Sequence, residues 1–230
     1  QADAAHADDS QPLAEDAEIQ QGVALVEGGV QSVRLTTFAR AIGISREAII
    51  NDSTAAIGRV FAELGASAGR TEARLVADAL EANRVLDDGA VTFDAAYSNV
   101  VASALSWEGF GEAAALLRTQ LTQAGQRADM KARFLVVAPD IELTAQKMVF
   151  EAGLQVQVFA LANLPAGRWF VLADPTISPA IGVLRLAGVK SPIRVEPRKR
   201  PAEMDGAAVQ VTADLGAFVA RRTGIVRGGV

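Results

Sequence analysis

The stretch Asn51–Asn83, NDSTAAIGRVFAELGASAGRTEARLVADALEAN, predicts one long amphipathic α-helix. Successive side chains in a helix are rotated by about 100°, and this rotation gathers the apolar residues of the stretch into one narrow stripe. The stripe consists of Ile57, Phe61, Leu64, Ala68, Leu75 and Ala79, and the opposite side carries Arg59, Glu63, Arg70, Arg74 and Glu81. Asn51, Asp52 or Ser53 can cap the first turn.

The length of this helix is its most informative property. At roughly 1.5 Å per residue it measures about 45–50 Å, well above the usual helix length. A helix of that length extends beyond a compact core, so we expect another surface to cover part of it. The alternative is a long core helix of a globular enzyme.

Charge is distributed unevenly along the chain. Residues 1–33 contain seven acidic residues and no Lys or Arg, while the net charge of the whole chain is −5, which leaves +2 on residues 34–230. Residues 1–21 are rich in Ala, Asp, Gln and Glu, so this segment is predicted to be disordered when alone. Two interpretations stay open: a solvated tail, or an arm that a partner orders.

Residues 22–50 alternate in the manner of β-strands around the turn-forming Glu27-Gly28-Gly29. A two-stranded ribbon is only marginally stable in water, so we expect this one to rest on another surface. Nothing in the sequence obviously covers its apolar side chains within one chain. We therefore predict contacts with a neighbouring copy through Val23, Leu25, Val33 and Phe38.

The remainder of the chain predicts helices first and strands later, an α+β class with a largely antiparallel set of strands. A turn is expected at Asp87-Asp88-Gly89 and a loop over Phe93–Asn99. The predicted helices are Trp107–Gln123 and Pro139–Glu151, and the predicted strands are Arg133–Ala138, Gln155–Leu161, Arg168–Leu172, Ala180–Leu186, Ile193–Glu196, Ala207–Ala213 and Ala217–Val226.

Several kinds of active site are excluded by residue type. The chain has no cysteine, which rules out disulfides, thiolate chemistry and zinc–thiolate sites, and His6 is its one histidine. A histidine-based triad or metal cluster cannot be assembled from one histidine. The sequence therefore predicts no catalytic residue, no cofactor and no metal site. Its apolar runs are also shorter than the ~20 residues that a membrane span requires.

Gly109–Ala114 matches the dinucleotide-binding pattern G-x-G-x-x-A and supports an alternative, a nucleotide-binding α/β enzyme. That mechanism requires a buried strand directly before the glycines and an acidic residue after the next strand. Residues 103–108 make a poor strand, so we interpret the glycines as part of a helix start.

Two short basic clusters, Arg198-Lys199-Arg200 and Arg221-Arg222, interrupt the C-terminal strands. Such clusters can contact phosphates. In a chain that is acidic overall we favour a protein partner, with the acidic arm of a neighbouring copy as the candidate.

A series of short motifs, in order, resembles the major capsid proteins of Mu-like tailed phages. Phe38–Asp52 is similar to the segment that leads into the long helix of that family, and Asp88-Gly89 with Phe93 and Asn99 is similar to the loop after it. Tyr97 stands where the family pattern suggests a histidine. The C-terminal motifs are Trp169–Pro175, Ala213–Gly216 and Arg227-Gly228.

The resemblance implies the Hong Kong 97 phage capsid fold. It assigns residues 1–21 to an N-terminal arm, 22–50 to the E-loop, 51–106 to a peripheral domain with the spine helix, 107–190 to an axial domain and 191–230 to the returning peripheral strands. In the founding example of the fold, an E-loop lysine is bonded to an asparagine of a neighbour. This chain has no lysine before Lys131, so a shell without covalent cross-links is expected.

The function implied is that of a non-enzymatic major capsid protein. It would form hexamers and pentamers of an icosahedral head around double-stranded DNA, and would be assembled in the host bacterial cytoplasm. Its implied partners are copies of itself, a portal, a maturation protease and a decoration protein, with no membrane. Glutamine at position 1 is what removal of an N-terminal segment by that protease would leave. An encapsulin-like compartment is the alternative; the acidic arm and the missing initiator favour the head.

Overall fold

A computed structural model describes residues 21–26, 29–46, 54–86, 88–122, 125–186, 193–198 and 206–229. The chain divides into two compact units. The first is built mainly from the described parts of Val33–Glu72 and Leu184–Gly216, and the second from those of Val23–Ser32, Ala73–Val183 and Ala217–Val230. Among the described helices none is long and apolar enough to cross a membrane.

The predicted long helix is present as α1, Thr54–Glu81, with 28 residues. Two further helices are α2, Trp107–Thr119, and α3, Glu142–Glu151, with short 3₁₀ turns at Ala95–Tyr97 and Pro139–Ile141. The strands are β1 Gln21–Val26, β2 Gly29–Arg34, β3 Thr36–Ser45, β4 Val100–Val101, β5 Ala132–Val137, β6 Gln157–Ala160, β7 Trp169–Ala173, β8 Ile181–Arg185, β9 Ile193–Arg198, β10 Gly206–Val219 and β11 Ile225–Gly228.

The described side chains of the apolar stripe of α1 are buried or half-buried. Leu64, Ala68 and Ala79 are buried and Leu75 is half-buried, while Glu63 and Arg70 on the opposite side are exposed. The side chains of Ile57 and Phe61, and the predicted caps Asn51–Ser53, lie outside the described residues.

Helix α1 ends where Asn83 adopts a left-handed backbone conformation, with φ of 38°. Asparagine tolerates this conformation better than most residues. Its amide group also fastens the following loop, because Oδ1 accepts from the Phe93 N–H at 2.7 Å and Nδ2 donates to the Phe93 carbonyl at 3.2 Å.

The four-stranded sheet is organised by β10, whose antiparallel ladder with β3 runs from Gly206↔Ser45 to Leu215↔Thr36. Strand β9 pairs with β10 over Ala208–Ala213, and β8 also neighbours it. The predicted two strands, Ala207–Ala213 and Ala217–Val226, are therefore wrong, since one strand of 14 residues continues through Asp214-Leu215-Gly216.

The polar and flexible residues that suggested a break in β10 are satisfied inside the sheet. Asp214 is buried, accepts a hydrogen bond from Thr37 Oγ1 at 2.7 Å and pairs with Arg194. At Gly216 an added Cβ would lie 2.8 Å from the Arg34 carbonyl oxygen, so glycine fits where a larger residue would press on the backbone.

The five-stranded sheet has the order β4-β11-β7-β5-β6, with parallel pairs β4/β11 and β5/β6 and antiparallel pairs elsewhere. Its side chains alternate between two cores. On one face Trp169, Val171 and Leu135 pack with α2 and α3. On the other face Phe170, Leu172 and Val136 join a cluster of Ala77, Leu80, Phe93, Ala180 and Val219.

The predicted ribbon is present in β1 and β2, which form a two-stranded sheet of their own. Residues Thr36–Ser45, which the sequence assigned to the ribbon segment 22–50, form strand β3 and pair with β10. Part of residues 22–50 thus belongs to the four-stranded sheet. The domain boundaries taken from the resemblance stay a prediction.

Candidate assembly surfaces

The residues predicted to contact a neighbour occupy different environments. Val33 and Phe38 are 4% and 5% exposed in the single chain, so the argument that nothing within the chain covers them is wrong. Val23 and Leu25 lie on β1, but their side chains are outside the described residues, and so is the side chain of Arg198 at the end of β9. Lys199 and Arg200 lie wholly outside the described part. Contacts through the ribbon and this basic cluster stay predictions.

The loop after α1 is held by buried amide groups. Asn99 is fully buried: its Oδ1 accepts from the Asp94 N–H at 2.9 Å and its Nδ2 donates to the Thr92 carbonyl at 2.8 Å. The Asn99 carbonyl accepts from the Arg227 N–H at 2.9 Å, which joins the loop to β11. The asparagine of the sequence motif therefore has a structural role.

Arg222 makes several hydrogen bonds to this loop. Its guanidinium donates through Nη1 and Nη2 to both carboxylate oxygens of Asp88, and through Nη2 to the Ala90 carbonyl at 2.6 Å. Its Nε donates to the Val91 carbonyl at 2.9 Å, and the Tyr97 ring lies 4.6 Å away beneath it. We call this arrangement the Arg222 clamp.

The interpretation of Arg221-Arg222 as an exposed basic cluster is therefore wrong for Arg222, which is buried and bound to Asp88. Arg221 is exposed. The planar guanidinium suits this site because its five N–H groups can bond a carboxylate and backbone carbonyls at the same time.

The clamp holds the pKa of Asp88 well below its usual range. The largest cause is the hydrogen bond from Arg222, followed by the bond from the Ala90 N–H. Both favour the ionised carboxylate, so the carboxylate remains charged under mildly acidic conditions.

A second cluster joins the end of α1 to β11. Arg168 Nε approaches Glu81 Oε1 to 2.8 Å without the alignment of a good hydrogen bond, and Arg168 also bonds the Gly229 carbonyl. The Arg227 guanidinium lies 5.1 Å from the Phe93 ring centroid. Burial lowers the pKa of Arg227, and Arg168 adds to this effect while Glu81 opposes it.

The glycine that follows Arg227 is required by packing. An added Cβ at Gly228 would overlap the ring of Trp169, which is fully buried and donates from Nε1 to the Ser103 carbonyl at 3.3 Å. The motifs Trp169–Pro175 and Arg227-Gly228 thus meet in adjacent strands, although more than fifty residues separate them.

Exposed apolar side chains occur at both edges of the five-stranded sheet. At the β6 edge, α3 and β6 expose Leu143, Phe150 and Phe159, and at the β4 edge α2 exposes Trp107. Sequence reasoning did not single these residues out. For Leu143 and Phe150 the sequence does contain an indication: a spacing of seven residues places both side chains on one side of a helix.

A model of the phage capsid protein family matches residues 29–228, nearly the whole described chain. The chain belongs to the phage capsid protein family. No curated protein sequence matches it. The predicted membership is confirmed by this match.

Solved structures of shell-forming proteins are similar to this capsid protein. The holo-SrpI encapsulin complex from Synechococcus elongatus PCC 7942 gives a TM-score of 0.62 at 12% identity, covering 95% of this chain and 83% of that one. A virus-like particle from Pyrococcus furiosus gives 0.52 at 16% identity, covering 93% and 86%. The head of Helicobacter pylori bacteriophage KHP40 gives 0.51 at 10% identity, covering 95% and 84%. The fold is the Hong Kong 97 capsid fold, as predicted.

Membership of the family gives the protein a role in building a shell. The Arg222 clamp and the Arg168 cluster are internal to the subunit. Their chemical task is to fix the loop after α1 and the last strand against each other. The dinucleotide pattern also has a structural explanation: Gly109 lies in the first turn of α2, its N–H is capped by Ser106 Oγ at 3.1 Å, and a Cβ there would lie 2.8 Å from Ser103 Oγ.

The clamp predicts an acid-dependent loss of stability. Asp88 has a folded pKa below its unfolded value near 3.8, so its contribution is present above that pH and is lost as the pH falls towards the folded pKa. Asp88→Asn should lower the urea midpoint of the unassembled subunit at pH 7, and the difference from wild type should shrink as the pH is lowered below about 4.

Asp129→Asn is the matched control, because Asp129 pairs with Arg118 at 3.0 Å with both side chains largely exposed. An exposed pair of this kind contributes about 0–1 kcal/mol. If Asp88→Asn and Asp129→Asn shift the midpoint equally at pH 7, the clamp contributes no more than a surface ion pair.

Proposed function

We propose that this protein is the major capsid protein of a tailed-phage head, forming the hexamers and pentamers of an icosahedral shell that encloses double-stranded DNA. The observation that carries the proposal is the family match over residues 29–228, on a chain with the Hong Kong 97 fold. The role is structural rather than enzymatic. The protein is located in the capsid of the virion, and the capsid is assembled in the host bacterial cytoplasm.

The proposed partners are further copies of the chain, a portal, a maturation protease and a decoration protein. The packaged DNA is bound non-specifically, so the protein does not recognise its base sequence. The acidic balance of the chain, −5 overall, supports a shell that encloses DNA loosely, since net negative charge disfavours tight phosphate binding.

An encapsulin-like compartment is the second candidate, because the SrpI encapsulin complex has a similar fold. At 12% identity this similarity reports the fold alone. The two candidates differ in what the shell encloses: DNA for a head, and protein for a compartment. Analysis of the material inside the shell therefore distinguishes a phage head from a compartment.

The test is to isolate shells of this protein from its natural source, treat them with nuclease, and analyse their contents. We expect negative-stain images of closed shells and nuclease-protected double-stranded DNA of uniform length. Shells with protein cargo and no protected DNA would support the compartment. A chain that forms only small particles would contradict both candidates.

The acidic segment supports a proposal about assembly. Residues 1–33 carry seven acidic residues and no basic one, whereas residues 34–230 are net positive. We expect the segment to act as an arm that is attracted to basic side chains of neighbouring copies, including Arg198, Lys199, Arg200 and Arg221. Individual exposed pairs are weak, so several must act together and respond to salt.

Deleting residues 1–21 should lower the yield of shells and reduce the dependence of assembly on salt, measured by light scattering across a salt series. The matched control keeps the length and replaces the six acidic residues of this segment by Asn and Gln. Equal loss in both variants would assign the effect to charge. Unchanged assembly in both would show that the arm is only a solvated tail.

The shell is expected to be held without covalent cross-links. The four lysines are Lys131, Lys147, Lys190 and Lys199, and the ribbon carries only Arg34, Arg40 and Arg46 as basic residues. An arginine guanidinium stays protonated and is not an amine nucleophile. With no cysteine in the chain, disulfide cross-links are excluded as well.

Mature particles boiled in detergent should therefore give one band at the monomer mass of 24.0 kDa. A ladder of multimers from the unmodified protein would contradict the expectation.

A further inference from the structure

The β6 edge of the five-stranded sheet is unusually apolar for a surface. Phe150 and Leu143 of α3 are 86% and 78% exposed, and Phe159 of β6 is 50% exposed. An aromatic side chain presents about 150–250 Å², so the two phenylalanines together expose roughly 270 Å². With Leu143 and Leu154 the exposed apolar area reaches about 400 Å², within the range of the largest patch on a typical monomer, which often has a function.

This area can be compared with what an interface requires. One partner of a standard interface buries about 800 Å², of which slightly more than half is apolar. The α3–β6 edge thus offers nearly all the apolar area that one side of such an interface needs.

The edge also has a concave feature. A groove of about 560 Å³ lies between the end of α3 and the beginning of β6, lined by Gln146, Val149, Phe150, Gly153, Leu154 and Val158. The lining is mostly apolar. The volume accommodates a large aromatic side chain from another surface, because pockets of 300–1,000 Å³ take molecules larger than one indole.

The opposite edge of the same sheet presents such a side chain. Trp107 is the first residue of α2, which packs beside β4, and it is 46% exposed. The Ser106 cap fixes the start of this helix, because Ser106 Oγ accepts from the Gly109 N–H. Tryptophan and other aromatic residues are the usual anchors of protein interfaces.

We infer that the two edges are the two halves of one contact between copies of this chain, with Trp107 of one copy seated in the α3–β6 groove of the next. Closed rings require a head-to-tail interface, in which each copy contributes two different surfaces. A groove at one sheet edge and an aromatic side chain at the other meet this requirement. The inference rests on the proposed function as a shell subunit.

The absence of cysteine from the chain permits a direct test. Glu108→Cys, which keeps the neighbouring Trp107, is combined in one chain with Leu154→Cys, and assembled shells are oxidised and run on a non-reducing gel. A second pair, with Gln146→Cys in place of Leu154→Cys, allows for the narrow distance range of a disulfide. Each single-cysteine chain is the matched control.

A head-to-tail contact predicts a ladder that ends at the pentamer and hexamer for at least one pair, and monomers for every single-cysteine chain. Dimers from a single-cysteine chain would instead show a two-fold contact and overturn the inference. Shells that form but give no ladder with any pair would also overturn it, while leaving the proposed function in place. Failure of the unmodified chain to form shells would overturn both.

A charge substitution tests the same surface without cysteine. Phe150→Glu should reduce shell yield at least tenfold and leave the melting temperature of the unassembled subunit unchanged, because the side chain is almost fully exposed. Ile177→Glu is the matched control, since Ile177 is an apolar residue, 66% exposed, in the turn after β7 and away from α3. Equal shell yields from the two variants would contradict the assignment of the groove.

Discussion

Strand β7 is the constraint on which the larger unit depends. All five residues from Trp169 to Ala173 are buried, and the first four alternate between the two cores of the five-stranded sheet. A strand with apolar side chains on both faces is stable only when both faces are covered. Helices α2 and α3 cover one face, and the second half of α1 covers the other with Ala77 and Leu80. The long helix is therefore part of the core over its last turns.

Polar connections then fix the irregular segments around this sheet. The loop after α1 contributes backbone carbonyls and Asp88 to Arg222, and Asn99 to β11. Gln120 adds a third connection: its amide donates to the Ile225 carbonyl at 3.0 Å and accepts from the Gly224 N–H at 2.7 Å. Buried polar groups must be satisfied in this way, because an unpaired one costs about 1–3 kcal/mol. These hydrogen bonds connect the loop after α1 and the end of α2 to the last strand of the five-stranded sheet.

A shell protein has different surface requirements from an enzyme. Its function is the geometry of contacts between copies, so the relevant residues are exposed apolar side chains in the isolated chain. Leu143, Phe150 and Trp107 have this property, whereas the internal clamps are already satisfied. Burial upon association follows from the same hydrophobic effect that builds the core, because apolar area removed from water is favourable in both cases.

The sequence by itself determined the local elements and the family. The 3.6-residue periodicity of α1 and the apolar runs of β5 and β7 depend on neighbouring residues only, so they were predicted close to their observed bounds. The ordered motifs identified the family because each motif sits in its own segment. Tertiary structure alone decided which distant segments supply hydrogen-bond partners and packing contacts to one another. Asp214 lies within a strand because Thr37 and Arg194 bind it, and Arg222 is buried because Asp88 does. Val33 and Phe38 are buried inside the chain for the same reason: burial depends on partners that are remote in sequence, which no local pattern contains.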